Sequence, residues 1–217
     1  MMGELEKMYQ RRFGGDTEFR DKMYKVLCEE FFQKYIPKDS TVLDVAAGYC
    51  EFINNIKAKK KIALDLNSDV RKFAGKDVEV MISSSTDMEK IPDGSVDVAF
   101  TNNFFEHLSW EDIRKTIMEV HRVLKKGGKF LVVQPNIRYC GNNYWMFFDH
   151  ITPIDDRSLT EVLEINGFKV LECRPKLLPY TTKGHLPKSI FLLKLYLKMP
   201  IAHQIFGQQA FLYAKKV

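Results

Sequence analysis

The sequence predicts an α/β fold, a mostly parallel sheet covered on both faces by helices, and three observations carry that prediction. Short β-branched runs alternate with helical periodicity along the chain, the early runs end in an acid or a small-residue turn, and nothing in the 217 residues departs from the composition of one globular domain. With 45% hydrophobic and 28% charged residues, the chain has enough apolar side chain for a core and is not disordered. Its net charge of +5 is spread along the sequence rather than gathered into an arm, which argues against a nucleic-acid partner. Cys28, Cys50, Cys140 and Cys173 form neither a CxxC pair nor a Cys/His ligand spacing, so no disulfide framework and no metal site are expected, and a reducing cytoplasm fits. The opening MMGELEKMYQRRF lacks the apolar core of a secretion signal, and no uncharged apolar run approaches the roughly 18 residues that cross a bilayer.

The first forty residues read as a strap followed by a helix. Residues 9–13, with Gly14-Gly15 as a hinge, suit a lid, a plain unordered terminus being the alternative. Over 19–35, Met23, Val26, Leu27, Phe31 and Tyr35 recur at helical intervals, and Pro37 closes the run. The core, 41–136, then begins with a strand ending at Asp44, a small-residue turn and a helical stretch to about Ala58. KIALDL is a strand ending in Asp65, residues 69–73 a short helix, VEVMI a strand, and SVDVAF another after the turn Pro92-Asp93-Gly94. Residues 110–124 predict an amphipathic helix with Ile113, Ile117, Val120 and Leu124 on one face, stopped by Lys125-Lys126-Gly127-Gly128, and KFLVVQ is the fifth strand. Beyond 136 come an irregular aromatic stretch to Thr152, a helix in DDRSLTEVLEING, a sixth strand in FKVLECR and a last in QAFLYAKKV. The apolar excursion over 178–207 is too long for a plain connection.

In open α/β sheets ligands bind beyond the carboxyl ends of the strands, and three acids fall there. Asp44 ends the first strand, and Ala46, Ala47 and Gly48 after it keep side chains out of the way of an approaching ligand. Asp65 follows 21 residues later, the interval at which an acid reaches ribose hydroxyls. Asp87, after the third strand, is placed to accept from an exocyclic adenine amine beside apolar Met88. Each has a plainer reading, as a helix cap or an ordinary turn residue. The G-x-G-x-x-G fingerprint of dinucleotide folds and the Walker loop are both missing.

The segments VLDVAAGYCEF, IALDLN, SVDVAFTNNFFEHL and RVLKKGGKFLVVQPN resemble, as a set, the successive motifs of class I S-adenosylmethionine-dependent methyltransferases. The resemblance covers 41–136 and implies a Rossmann-like, doubly wound sheet of seven strands, mostly parallel with the last antiparallel, and S-adenosyl-L-methionine as cofactor. It implies that Asp44, Ala46, Gly48 and Tyr49 lie along the methionine part, that Asp65 beside Leu66 bonds the ribose hydroxyls, that Thr86, Asp87 and Met88 hold adenine, and that Asn102 and Asn103 face the sulfonium. The family has three glycines at alternate positions of the first turn. Here those positions hold Ala46, Gly48 and Cys50, and Cys50 puts a side chain close to the amino-acid end of the cofactor. NNFFEHL, QPN, YWxFFDHxTP and LPY are further similar to small single-domain bacterial methyltransferases related to the type 11 group and often associated with cell-envelope glycan synthesis; the motifs do not specify the substrate, and a small-molecule or glycan acceptor is the leading expectation.

Methyl transfer from a sulfonium is an in-line displacement that needs no metal and gains from a dry, aromatic-lined site. A hydroxyl acceptor also needs a base. His150 is the expected base, in a loop with Tyr139, Tyr144, Trp145, Phe147, Phe148 and the adjacent Asp149, and Glu106 and His107 are the other candidates. Asn136, Tyr139, Tyr144 and Trp145 are expected to hold the acceptor. The plainer readings are a turn cap for Glu106-His107, a buried backbone-bonded ring for His150 and a turn role for Asn136. Two rival functions stand beside methyl transfer: a catalytically silent cofactor-binding subunit serving a partner, and a nucleotide-binding oxidoreductase, which the missing glycine fingerprint disfavours. The segment 186–206 predicts a helix from Ser189 to Met199 limited by Pro200, too short to span a bilayer. Lys194 and Lys198 share one side of it. It reads as a lid or dimer helix, or as a surface lying on anionic headgroups, which would leave a cytoplasmic enzyme peripheral to the inner membrane face.

Overall fold

The computed structural model describes residues 17–180 and 188–217; the expected strap at 9–13 and its Gly14-Gly15 hinge lie outside them. Seven strands form one sheet: β1 (Thr41–Val45), β2 (Lys60–Asp65), β3 (Val78–Ile82), β4 (Val96–Asn102), β5 (Leu124–Pro135), β6 (Phe168–Leu178) and β7 (Gln209–Lys216). Their order is β3-β2-β1-β4-β5-β7-β6. The first five pair in parallel, and β7 runs antiparallel to both β5 and β6, so the last strand is indeed the antiparallel one.

Strand alternation divides the core into two layers. Leu43, Val45, Ile62, Leu64 and Val132 point to the side covered by α4 (Trp110–Val123) and α6 (Asp156–Ile165), where Ile113, Ile117, Val120, Leu159 and Leu163 meet them. Val42, Ala63, Val98, Phe100 and Leu131 point to the other side, onto α1 (Thr17–Glu30) and α2 (Glu51–Asn55). There the rings of Phe52 and Phe100 stack at 3.6 Å. Between these helices lie α3 (Val70–Phe73) and α5 (Ile137–Cys140), and after β6 come α7 (Ile190–Leu197) and α8 (Pro200–Phe206).

Four local expectations are corrected. The helix after β1 is little more than one turn and stops at Asn55, because Ile56 turns extended and Lys57 is held to Gln33 in both directions, which returns the chain to Ser40 to begin β2. Lys125 to Gly128 do not stop the helix ahead of a later strand. Leu124 already pairs with Val96, and the two lysines and two glycines form an irregular stretch inside β5, where Gly127 adopts φ +73°. The aromatic stretch before Thr152 is not wholly irregular, since α5 and a 3₁₀ turn over Gly141–Met146 lie in it. Pro200 does not merely limit α7; it is the first residue of α8. No helix among the described residues is long and apolar enough to cross a membrane.

Candidate active site

The carboxyl ends of the parallel strands make one rim, and the strand order puts Asp87, Asp65, Asp44, Asn102 and Gln134 along it in that sequence. The turn after β1 holds Ala46, Gly48 and Cys50 at φ of 61°, 52° and 59°, so all three alternate positions are left-handed although only one is glycine. A side chain in that conformation costs roughly 1–2 kcal/mol, an outlay tolerated where surrounding structure enforces it. The enforcement is visible. Ala47 donates to the Leu64 carbonyl at 3.1 Å, and the Asp65 carboxylate accepts from Gly48 N–H and Asn67 N–H, both at 2.8 Å.

Burial pushes the Asp44 carboxyl well above the usual range, helped by the nearby charges of Asp65 and Glu51 and opposed by the Ile53 N–H. Burial likewise raises Asp65 against its backbone donors. Asn102 donates to the Tyr24 hydroxyl of α1, while its Oδ1 is buried without a hydrogen-bond partner. An unsatisfied buried acceptor costs about 1–3 kcal/mol and marks a place for a ligand donor. A crowd of carboxylates and an orphaned amide oxygen around a compact turn fit a cofactor that brings a sulfonium and an ammonium group. Tyr24 was not among the expected residues. Its position three and four residues before buried Leu27 and Cys28 is the signal that could have found it.

The adenine end is less as expected. Leu66 is exposed beside Asp65, and Asp87 is exposed with Glu89 N–H reaching its carboxylate at 3.4 Å. Thr86 shares a 2.8 Å hydroxyl contact with Ser84. Met88, however, is only 1% exposed and packs in the core, and its N–H donates to Glu119 at 2.7 Å, so its side chain is not presented on the rim. Tyr49 packs edge-on to Phe73 at 4.5 Å beneath the Arg20 guanidinium. Asn103, at φ 49°, ties the end of β4 to the Val133 carbonyl.

Where the acceptor is expected, the 3₁₀ turn Phe105–His107 and the loop before α6 bring Glu106, His107, Asp149 and His150 together. Glu106 is buried and accepts from the Gln134 amide at 2.8 Å, and its carbonyl accepts from Ile151 and Thr152. Burial raises its carboxyl, opposed by His107 and the Gln134 donor. His150 is buried in a box of rings, with His107 at 4.9 Å and Tyr144 and Phe147 both at 5.2 Å, and its Nδ1 lies 3.5 Å from the Tyr180 hydroxyl. Trp145 is half exposed and Phe148 is 96% exposed beside this box.

Two of the four expected acceptor ligands are otherwise engaged. Asn136 is fully buried: its amide donates to Asp156 at 2.7 Å and to the Pro175 carbonyl at 3.1 Å, and its oxygen caps α5. Tyr144 is fully buried too, donating to the Thr152 carbonyl at 2.6 Å and accepting from Ile154 N–H. Tyr139 is half buried under the cations of Arg138 and Lys176, and Trp145 remains available. His121 and His203 serve packing. His121 lies against Gly167, where an added Cβ would meet its ring at 2.8 Å, and His203 Nε2 sits 2.9 Å from the Tyr196 carbonyl.

Residues 43–132 match the family described as "Methyltransferase domain". A probable S-adenosylmethionine-dependent methyltransferase of Mycolicibacterium smegmatis is 40% identical over 82 residues, 37% of this chain and 31% of that protein. The chain spans about a third to a half of the length of the curated relatives it matches. Among solved structures, a SAM-dependent methyltransferase from Archaeoglobus fulgidus superposes with a TM-score of 0.69 at 22% identity, covering 94% of this chain and 99% of that one. A chain from the complex of the Haloferax volcanii Trm112 methyltransferase activator with a methyltransferase gives 0.66 at 16% identity, covering 94% of each. These structural likenesses establish the fold.

Proposed function

We propose that this chain, which carries a class I S-adenosylmethionine-dependent methyltransferase domain, moves a methyl group to a hydroxyl of a small-molecule or glycan acceptor at the Glu106–His107–His150 end of the rim. When bound, S-adenosylmethionine supplies an electrophilic methyl on a sulfonium. Asp65 would hold the ribose end, with oxygens that still have lone pairs beyond the two backbone donors. Asp44 and the orphaned Asn102 oxygen would face the charged methionine end. Trp145 and Phe148 offer exposed rings on which a sugar or planar acceptor would stack.

The single observation that supports hydroxyl chemistry is the convergence of a buried carboxylate and two imidazoles beside the end of β4, a group able to draw off the proton a hydroxyl must lose. The test is transfer of a labelled methyl from S-adenosylmethionine to hydroxylated acceptors, glycans and lipid-linked glycans among them. His150→Ala is expected to leave cofactor affinity within about threefold while lowering turnover by about 10² or more. Label found only on nitrogen or carbon acceptors would refute O-methylation. Tight cofactor binding with no transfer to any acceptor would favour a silent subunit serving a partner.

The acceptor reading extends to where the enzyme works. None of the eight residues of α7 is buried, and Phe191, Leu192 and Leu195 stand exposed on it, with Ile201, Ile205 and Phe206 exposed on α8. Lysines at 194 and 198 flank them. Such a surface suits the anionic face of a membrane from the cytoplasmic side, where a lipid-linked glycan would be met.

A further inference from the structure

We propose that Glu106, His107 and His150 are the ligands of one divalent transition-metal cation. Oε1 of Glu106 lies 3.8 Å from Nε2 of His107 and 3.9 Å from Nε2 of His150, and one ligand atom from each residue falls within 4.8 Å of the others. Hydrogen bonds would close these gaps to about 2.7–3.0 Å. Ligands each about 2.1 Å from a tetrahedral ion stand about 3.4 Å apart, so the Glu106 oxygen must approach each ring nitrogen by about half an ångström, and the two rings, whose ligand atoms lie within 4.8 Å of each other, must close to the same spacing.

The outer atoms are held as ligands of a metal are held. Nδ1 of His107 lies 3.1 Å from the Asp149 carbonyl and 3.2 Å from its carboxylate, Nδ1 of His150 lies 3.5 Å from the Tyr180 hydroxyl, and Gln134 donates to the other Glu106 oxygen at 2.8 Å. A ring that donates outward through Nδ1 carries its lone pair on Nε2. The Asp149 oxygens place the His107 proton on Nδ1 and its lone pair on Nε2, and His150 turns its own Nε2 to the same Glu106 oxygen, so a cation there would draw both rings onto it through their Nε2 lone pairs. One carboxylate with two imidazoles suits Zn²⁺ and its neighbours rather than Ca²⁺ or Mg²⁺.

Three protein ligands leave a position for water or for an acceptor oxygen. With the cation bound, the three side chains serve as its ligands in place of acting as the base, and a hydroxyl bound in the open position gives its proton to water more readily, the electrons of the broken O–H bond remaining on an oxygen beside the cation. That role rests on the methyl-transfer reading, whereas binding of the cation does not. The displacement itself still needs no metal; what changes from the sequence expectation is that a metal site is present at the acceptor end.

The experiment is titration of tag-free protein, stripped with a chelator, with Co²⁺ as a spectroscopic probe and with Zn²⁺ by competition, in the absence of cofactor and acceptor. The expected result is one equivalent bound with visible d–d absorption. His107→Asn, at the partly open edge of the cluster, and His150→Gln should each weaken binding at least about a hundredfold, and Asp149→Asn about tenfold by releasing the His107 ring. Calorimetry with S-adenosylmethionine is run separately, so a failure to bind cofactor counts against methyl transfer and not against the cation. Wild-type protein that takes up no stoichiometric Co²⁺ or Zn²⁺ overturns the site and leaves a proton-sharing cluster. So does a variant of either histidine that is folded by circular dichroism and binds as the wild type does.

Discussion

Asp65 is both a cofactor ligand in prospect and a structural joint, because its two oxygens already fasten Gly48 and Asn67. Asp65→Ala should therefore weaken S-adenosylmethionine binding by at least tenfold, about 1.4 kcal/mol, and also lower the melting temperature. Calorimetry showing unchanged affinity would remove it from the site. Asp44 makes a different prediction. Its folded pKa is raised by burial and by the charges of Asp65 and Glu51, so protonation favours the folded state: the stabilisation is present below the ordinary carboxylate pKa and is lost as pH rises through the raised value. Asp44→Asn should accordingly stabilise the cofactor-free protein at about pH 7 and flatten the gain expected for the wild type on mild acidification. Denaturant unfolding at about pH 7 and about pH 5 checks it, and a variant less stable than wild type at the higher pH would refute the burial argument. The same substitution should weaken cofactor binding if Asp44 faces the charged methionine end as proposed, since it removes a negative charge there.

Among the elements, α7 is the one whose sequence and surroundings disagree most. Ser189 caps it by accepting from Leu192 N–H, Leu193 and Leu197 rest partly against the α1 side of the core, and Tyr196 donates to the Leu177 carbonyl, yet Phe191, Leu192 and Leu195 face outward. A helix of this composition in water exposes several hundred Å² of apolar surface in order of magnitude, which marks an interaction surface. Vesicles with anionic headgroups should carry the protein to the top of a flotation gradient at low salt, and salt should release it. A Phe191→Ser, Leu195→Ser double variant should stay at the bottom. Equal behaviour of both proteins, or no flotation of the wild type, leaves α7 as a lid or dimer helix. By contrast α6 is settled by its own ends, with Asp155 and Ser158 forming a reciprocal cap and Gly167 at φ +84° ending it, so residues 155–167 announce it without help from the rest of the chain.

At the scale of the whole molecule, Asn136 joins the end of β5 to α6 and β6, and with Arg138 it saturates the buried Asp156 carboxylate. Asn136→Ala should cost about 2–3 kcal/mol by stranding the Pro175 carbonyl and one lone pair of Asp156, while leaving cofactor affinity within about threefold. Urea unfolding measures the first and calorimetry the second. A stable variant that had lost turnover would return Asn136 to the acceptor site.

The sequence by itself determined the alternation of strands and helices, the acids at the strand ends and the chemistry of the turn after β1, because these follow from periodicity of 2 and 3.6 and from side-chain size within a few residues. It also put Glu106, His107 and His150 on the same list. Only the tertiary structure decided that they meet, 44 residues apart along the chain between Glu106 and His150, because that depends on β4 and β5 lying side by side and on Glu106 holding Ile151 and Thr152 through its carbonyl. It decided equally that Asn136, Tyr144 and Met88 face inward. An amide, a phenol and a thioether serve a ligand or a core equally well, and which they serve is set by what packs on them: α6 and β6 on Asn136, the chain at Thr152 and Ile154 on Tyr144, and the core on Met88, whose neighbouring backbone Glu119 and Arg122 fix. None of those partners is within reach of a local reading, because burial is a property of distant segments brought together by the sheet.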